Sequence, residues 1–264
     1  MRGMTRILVL SDIHGNYPAL RTVLSSTRGY DEVLVLGDLV DYGPQPGEVI
    51  DELRSIGARI VRGNHDEAAA YGVDCRCGEA THWLSVWFRE HVTIPLLSRK
   101  DRGFLAGLPL RLNLEIAGRK GEAVHAAPRN PLYAYLYPWL MDEEACRLAS
   151  KPALRLTGGE RGCQTGRIII VGHTHYQFHR YVQGTLILNP GSVGQPRDGD
   201  PRASYALIDT STGTVSFNRV EYPVEETIRR LRELRIPSPY IDALIYMLRE
   251  ARVPPPSMRP RQAL

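Results

Sequence analysis

Lysine, cysteine and long apolar runs are all scarce in this chain of 264 residues. The only lysines are Lys100, Lys120 and Lys151, and the other 30 of the 33 basic residues are arginine. Genome base composition accounts for such a bias; arginine also makes a better phosphate fork than lysine. Cysteine is limited to Cys75, Cys77, Cys146 and Cys163, too few for a disulfide framework at this length. Cys75 and Cys77 with His82 offer three ligands for a structural zinc, but no fourth follows at metal-finger spacing. Small, partly buried thiols are therefore the expectation. No apolar stretch approaches the ~18 residues of a membrane span. The RILVL run at 6–10 is too short for a signal peptide and flows straight into charged sequence. A cytoplasmic protein with no membrane partner is expected.

A large excess of one charge is missing too. The net charge is +4 and the pI near 8.9, which suits anionic substrates but falls far short of a protein that coats nucleic acid. Hydrophobic content of 43% and charged content of 23% are ordinary for a globular chain. The length fits one sizeable domain, or a domain with a small appendage. No internal repeat occurs.

The apolar pattern then gives the elements. RILVL (6–10), EVLVLGD (32–38) and ARIVRG (58–63) read as strands, separated by helices over 16–26 and 46–57. That βαβαβ start implies parallel strands with crossover helices. Residues 64–109 read as mostly helical, 110–118 and 122–127 as strands, and 141–149 as a helix followed by a Gly-rich loop at 158–166. From 167 onward, short strands with turn signals suggest a β-rich second half that forms a second sheet. Two amphipathic helices over 224–234 and 239–251 follow, and the Pro- and Arg-rich tail from 252 to 264 reads as disordered. The expected organisation is a catalytic domain over 1–222, a helical extension packed on it over 223–251, and the tail.

The histidines carry the chemistry. There are eight, at 14, 65, 82, 91, 125, 173, 175 and 179. Five of them follow apolar runs, in the contexts LVLSDIHGN, RIVRGNHDE, EAVHAAP and IIIVGHTH. With LGDLVDYGP at 36–44, five polar clusters follow five predicted strands. Ligands of open α/β sheets bind beyond the carboxyl ends of strands, where such clusters would converge. Asp12-x-His14 and His173-x-His175 each place two side chains on one side of an extended chain. Carboxylate, amide and imidazole donors suit Mn, Fe, Zn, Co or Ni rather than calcium or a thiolate site. Asp12, His14, Asp38, Asn64, His125, His173 and His175 supply enough ligands for two such ions.

The ordered set D-x-H, GD-xx-D, GNHD, a lone His and GH-x-H resembles the calcineurin-like metallophosphoesterase superfamily, over about residues 6–222. NPGSVGQPRD (189–198) resembles its compact prokaryotic branch, the YfcE-like and dinucleoside-polyphosphatase-like members. The resemblance implies a four-layer α/β/β/α sandwich of two mixed β-sheets flanked by helices. It implies one metal on Asp12, His14 and His175 and a second on Asn64, His125 and His173, with Asp38 bridging. It implies in-line attack by a metal-bridging hydroxide. His65 would be the general acid, held by Asp41.

Two departures bear on substrate. Protein phosphatases and bacterial tetraphosphatases of this superfamily carry arginine directly after the second aspartate of GD-xx-D, where this chain has Tyr42. After the lone histidine they carry glycines, where this chain has Ala126, Ala127 and Pro128. The expected substrate is therefore a small phosphoester or nucleotide, with a dinucleoside polyphosphate in range. A nuclease acting on DNA or RNA, a serine/threonine protein phosphatase-like enzyme and a non-catalytic metal-bound scaffold are the alternatives. Arg129 and Arg197 are candidates to fork a substrate phosphate, with surface salt bridging as the competing reading. The aromatic run YAYLYPW (133–139) either stacks a nucleobase or packs as core. His82 and His91 read as partly buried helix residues, and His179 as structural.

Overall fold

The computed structural model describes residues 5–150, 163 and 165–260. Along the chain, β1 (Arg6–Leu10), α1 (Tyr17–Ser26), β2 (Glu32–Val35), α2 (Pro46–Ser55) and β3 (Arg59–Ile60) form the opening βαβαβ unit. The helices α3 (Asn64–Tyr71), α4 (Glu79–Phe88), α5 (Ile94–Leu96) and α6 (Arg99–Gly107) follow, with a wider helical turn at Arg89–Thr93 joining α4 to α5. Then come β4 (Arg111–Ile116), β5 (Arg119–Val124), α7 (Asp142–Ala149), β6 (Ile168–Ile170), β7 (Gln177–Val182) and β8 (Thr185–Pro190). The described chain finishes with β9 (Ala203–Asp209), β10 (Val215–Val220), α8 (Val224–Glu233) and α9 (Tyr240–Glu250). Most of the Gly-rich loop read at 158–166 lies outside the described residues. None of the described helices is long and apolar enough to cross a membrane.

Among the described residues, two mixed five-stranded sheets result, ordered β10-β9-β1-β2-β3 and β4-β5-β6-β8-β7. Alternation along each strand builds the layers. In β1, Ile7 and Val9 face the second sheet, where they meet Ala123, Ile168, Ile170 and Leu188. Leu8 and Leu10 face the other way, onto Leu20 and Val23 of α1 and Val49 and Leu53 of α2. In β6 the same rule sends Ile169 to the outer face with Ala145 and Leu148 of α7. The stack is therefore helix, sheet, sheet, helix, as the resemblance implies.

The topology departs from the sequence reading in one respect. β9 and β10 do not join the second sheet; β9 runs antiparallel to β1 and β10 pairs with β9. This covers the β1 edge of the first sheet, which would otherwise present a row of unpaired backbone groups. β3 is also shorter than 58–63, because Arg62 N donates to Pro109 O and Gly63 N to the Asp66 carboxylate instead of to a strand.

The C-terminal helices cover one side of the core. Ile228 and Leu231 of α8 and Leu244 and Met247 of α9 bury against Leu84 and Phe88 of α4. Beyond α9 the sequence reads as disordered, yet the described chain runs on to Pro260. Met258 packs on the α4–α9 cluster, and an Arg259 guanidinium N–H donates to Glu79 O at 2.6 Å. Proline has little backbone entropy to lose on ordering, which favours such a docked tail.

Gly37 shows how tightly the strand ends are drawn together. Its φ is +86°, and a Cβ there would lie 2.5 Å from Gly63 N. Gly37→Ala should lower stability by more than about 2 kcal/mol, measured as a fall in the urea midpoint with the slope unchanged.

Candidate metal centre

The polar loops after β1, β2, β5 and β6 are laced together by their own backbones. Asp12 N donates to Gly37 O at 3.1 Å, His14 N to Asp38 O at 2.9 Å, and Gly172 N to His125 O at 2.7 Å. The loop after β8 crosses between the sheets, with Val193 N on Ser11 O and Gly194 N on Asp12 O. Segments about 180 residues apart in the chain thus reach one place. They are not extended there, as the spacing argument assumed. Asp12, His14, Asp38, His173 and His175 all have positive φ, between 49° and 65°, a region that side chains other than glycine seldom occupy. Side-chain alternation consequently does not place these pairs; the left-handed turns do. Strain of this kind concentrates at functional sites.

Among the described residues, two buried groups built of carboxylate and imidazole donors alone result. Asp12, His14 and His175 form one, and Asp38, His125 and His173 the other. The two histidines of GHTH therefore face different groups. Asp38 Oδ2 lies 3.3 Å from His125 Nε2 and 3.8 Å from His14 Nε2, between the two groups. Asn64 Oδ1 lies 2.9 Å from His125 Nε2, and its orientation is fixed because Nδ2 donates to Cys75 O at 2.8 Å.

The hydrogen bonds around these groups test whether metal ions fit. His14, His125 and His175 each aim Nδ1 at a backbone carbonyl, of Val40, Leu36 and Gln195 respectively. That sets the tautomer and leaves Nε2 as a lone pair directed inward, the usual arrangement behind a metal-binding histidine. His14 and His175 Nε2 face each other at 3.4 Å, and Asp12 Oδ1 sits 3.4 Å from His175 Nε2 with no hydrogen-bond partner. Burial pushes His14 down to about 3, and His173 and His175 well below the usual histidine range, so these rings are neutral. Burial also raises Asp12 to about 7. His125 differs: burial works against its charge, but Asp38 outweighs it and holds the ring up at about 9. A proton there relieves the crowding of acceptors, a task a cation does better. The donors present fit two metal ions.

His65 lies at the edge of this centre. Its Nδ1 is 2.8 Å from Asp41 Oδ2 and its ring is buried. Burial disfavours the charged ring, but Asp38, Cys75 and Asp41 together raise it to about 9. Nε2 makes no hydrogen bond to any described residue, so a proton on it is free to leave toward a ligand. Tyr42 packs edge-on to His14 at 5.0 Å and leans on His65 at 5.1 Å.

Several residues of the site were not singled out from the sequence. Arg89 is buried on the turn after α4 and donates to Asp41 Oδ2 at 3.0 Å; the only hint was a charge within an apolar helical run. Asn189 Nδ2 donates to Gly172 O and Thr174 Oγ1, and Ser192 Oγ to Asp12 O. The NPGS motif is thus a brace for two of the loops. Asp66 accepts from Asp38 N, Leu39 N and Gly63 N at 2.8–2.9 Å; its spacing from Gly63 is that of a helix cap.

The remaining sequence candidates separate. Arg197 reaches the site: it lines a cleft beside it together with Tyr135, Tyr137 and Thr174. Arg129 does not line that cleft; its backbone N donates to Leu148 O. Cys75 is buried and Cys77 half-buried, as expected of small thiols, with sulfurs 3.0 Å apart beside His65. His82 instead pairs with Asp74 at 2.9 Å. His91 is exposed rather than partly buried, stacked on Trp87 at 4.6 Å, because the helix face it occupies looks outward. His179 is also exposed, stacked on Phe217.

Asp66→Asn should cost about 2–3 kcal/mol of stability, since an amide must set an N–H against at least one of three buried N–H donors. Denaturation by urea, with and without added Mn²⁺, reads that loss.

Comparison with known proteins places this arrangement. Residues 5–213 match the calcineurin-like phosphoesterase superfamily domain. The uncharacterized protein MJ0912 of Methanocaldococcus jannaschii is 32% identical over 251 residues, covering 88% of this chain and 93% of that one. Phosphodiesterase YfcE of Escherichia coli is 24% identical over 80% of this chain and 91% of its own length. The crystal structure of a metallophosphoesterase from Sphaerobacter thermophilus superposes with a TM-score of 0.71 at 30% identity, covering 94% of this chain and all of that one. The chain is therefore a phosphoester hydrolase belonging to the calcineurin-like phosphoesterase superfamily.

Proposed function

We propose that the chain hydrolyses small phosphoesters, phosphodiesters first, at a centre of two metal ions. Asp12, His14 and His175 would hold one ion, Asn64, His125 and His173 the other, and Asp38 would serve both. The observation that carries this reading is the convergence of buried oxygen and nitrogen acceptors, among them the partnerless Asp12 Oδ1. When bound, the ions supply positive charge for the phosphate oxygens and lower the pKa of a water toward neutrality. The name of the YfcE relative favours the diester.

The chain's own residues do the rest. A departing alkoxide needs a proton, and His65 is the group placed to give it from Nε2. Asp41 fixes the ring through Nδ1 and stabilises the imidazolium. Arg89 in turn fixes Asp41 by donating to the same carboxylate oxygen. The backbone N–H of His65 donates to Asp38 Oδ1 at 2.9 Å, which leaves Oδ2 turned toward both donor groups. Tyr42 and the braces from Ser192 and Asn189 keep the loops from relaxing.

His65→Ala should lower kcat by about 10²–10⁴ on alkyl phosphodiesters and much less on p-nitrophenyl esters, whose leaving group needs no proton. Metal content should stay near two ions per chain, since the backbone hydrogen bond to Asp38 survives the substitution. Loss of metal from this variant would make His65 a ligand and overturn its role. Failure of the wild-type protein to hydrolyse any phosphoester with Mn²⁺, Fe²⁺ or Zn²⁺ would overturn the enzyme reading as a whole.

A further inference from the structure

We infer that the cleft beside the metal centre binds a planar aromatic base, and that the substrate is accordingly a nucleotide-type phosphoester. This rests on the phosphoesterase reading above, which puts the reacting phosphate at the metal centre. The cleft has a volume of about 400 Å³, within the range of small-molecule sites. It adjoins the centre: Thr174, between His173 and His175, lines it, and the Tyr135 ring lies 4.2 Å from the His173 ring. Tyr135 is held there because its hydroxyl oxygen accepts from Gly78 N at 2.8 Å.

One wall is a ladder of rings. Tyr135, Tyr137 and Trp139 alternate along an irregular segment and stack at centroid distances of 5.4 and 4.7 Å, each pair within 11° of parallel. Tyr176 stands edge-on to Trp139 at 4.9 Å. The apolar residue of the same segment, Leu136, points the other way into the core, so the run read as either core or stacking surface is both. Trp139 remains 62% exposed. A large aromatic face left in water at the rim of a cleft is an unused binding surface.

The C-terminal region also lines the cleft: Tyr246 on α9, then Arg252 and Val253. Two guanidinium groups, Arg197 and Arg252, line the cleft, and no carboxylate does. Neither arginine forms an ion pair with another described residue. Arg197 donates to Gln195 Oε1 from Nη2, while its Nε is buried without a partner. Stacked rings select a flat π-system, and unpaired guanidinium groups select anionic oxygen. A base joined to phosphate satisfies both. The cleft has room for one base with its sugar and phosphate.

Fluorescence titration of the purified full-length protein tests this, comparing adenosine 5′-monophosphate with ribose 5-phosphate. The nucleotide should quench tryptophan emission and bind at least about tenfold more tightly, and the quench should vanish in Trp139→Phe. In kinetics, Tyr137→Ala should raise KM about tenfold for a nucleoside phosphodiester with kcat within about twofold, and should move KM for glycerophosphodiesters far less. Equal affinity for the two phosphates, or an equal loss on both diester classes, would overturn the inference while leaving the metal-centre reading intact. Nucleotide binding in the cleft without hydrolysis under any metal would instead overturn the phosphoesterase reading, and with it the assignment of that nucleotide as substrate.

Discussion

Buried acceptors without donors are the constraint on which this structure turns. Asp12, Asp38, Asn64 and the imidazole nitrogens of His14, His125, His173 and His175 are all withdrawn from water. Such groups are costly to bury unless something positive lies among them. Within the protein the deficit shows as a carboxylate oxygen with no partner and as a histidine drawn up to about 9. Everything nearby serves to prevent the loops from relieving the deficit by turning outward. Backbone hydrogen bonds lace the strand ends, glycine contacts allow no added Cβ between Gly37 and Gly63, and Asp66 ties three amides of two loops together.

Strain and rigidity are therefore linked to chemistry through the fold. Two sheets packed face to face bring the carboxyl ends of β1, β2, β5 and β6 to one edge. The loops must then turn within one or two residues, and left-handed backbone at Asp12, His14, Asp38, His173 and His175 does this. A further set of residues braces these donors and their neighbours. Arg89 fixes Asp41, Asp41 fixes His65, and Asn189 and Ser192 brace the loops. The C-terminal helices reach the same region: Thr227 donates to Asn16 Oδ1, and Asn16 donates to Gly194 O. An extension that carries none of the family motifs is thus anchored beside the centre and walls the adjoining cleft.

Much of this was legible in the sequence because period and punctuation expose it. The βαβαβ opening, the inward strands and the amphipathic C-terminal helices follow from apolar spacing alone. The residues gathered at the strand ends were also legible, because Asp and His immediately after buried strands have few structural uses. What failed was anything set by three-dimensional closure. Spacing assigned Asp12 and His14 to one face of an extended chain, whereas positive φ angles place them. Order along the chain assigned β9 and β10 to the second sheet, whereas the open edge of β1 claims them. Arg89 gave no signal beyond a charge in an apolar helix, because its meaning comes from Asp41, 48 residues earlier.

On this reading the buried acceptors are paired by two cations. Anomalous diffraction from crystals of the protein loaded with Mn²⁺ tests it most directly. Two peaks are expected, one among Asp12, His14 and His175 and one among Asn64, His125 and His173, both touching Asp38, with His65 touching neither. A single peak, or a metal bound by His65 with Cys75 and Cys77 in place of these residues, would contradict it.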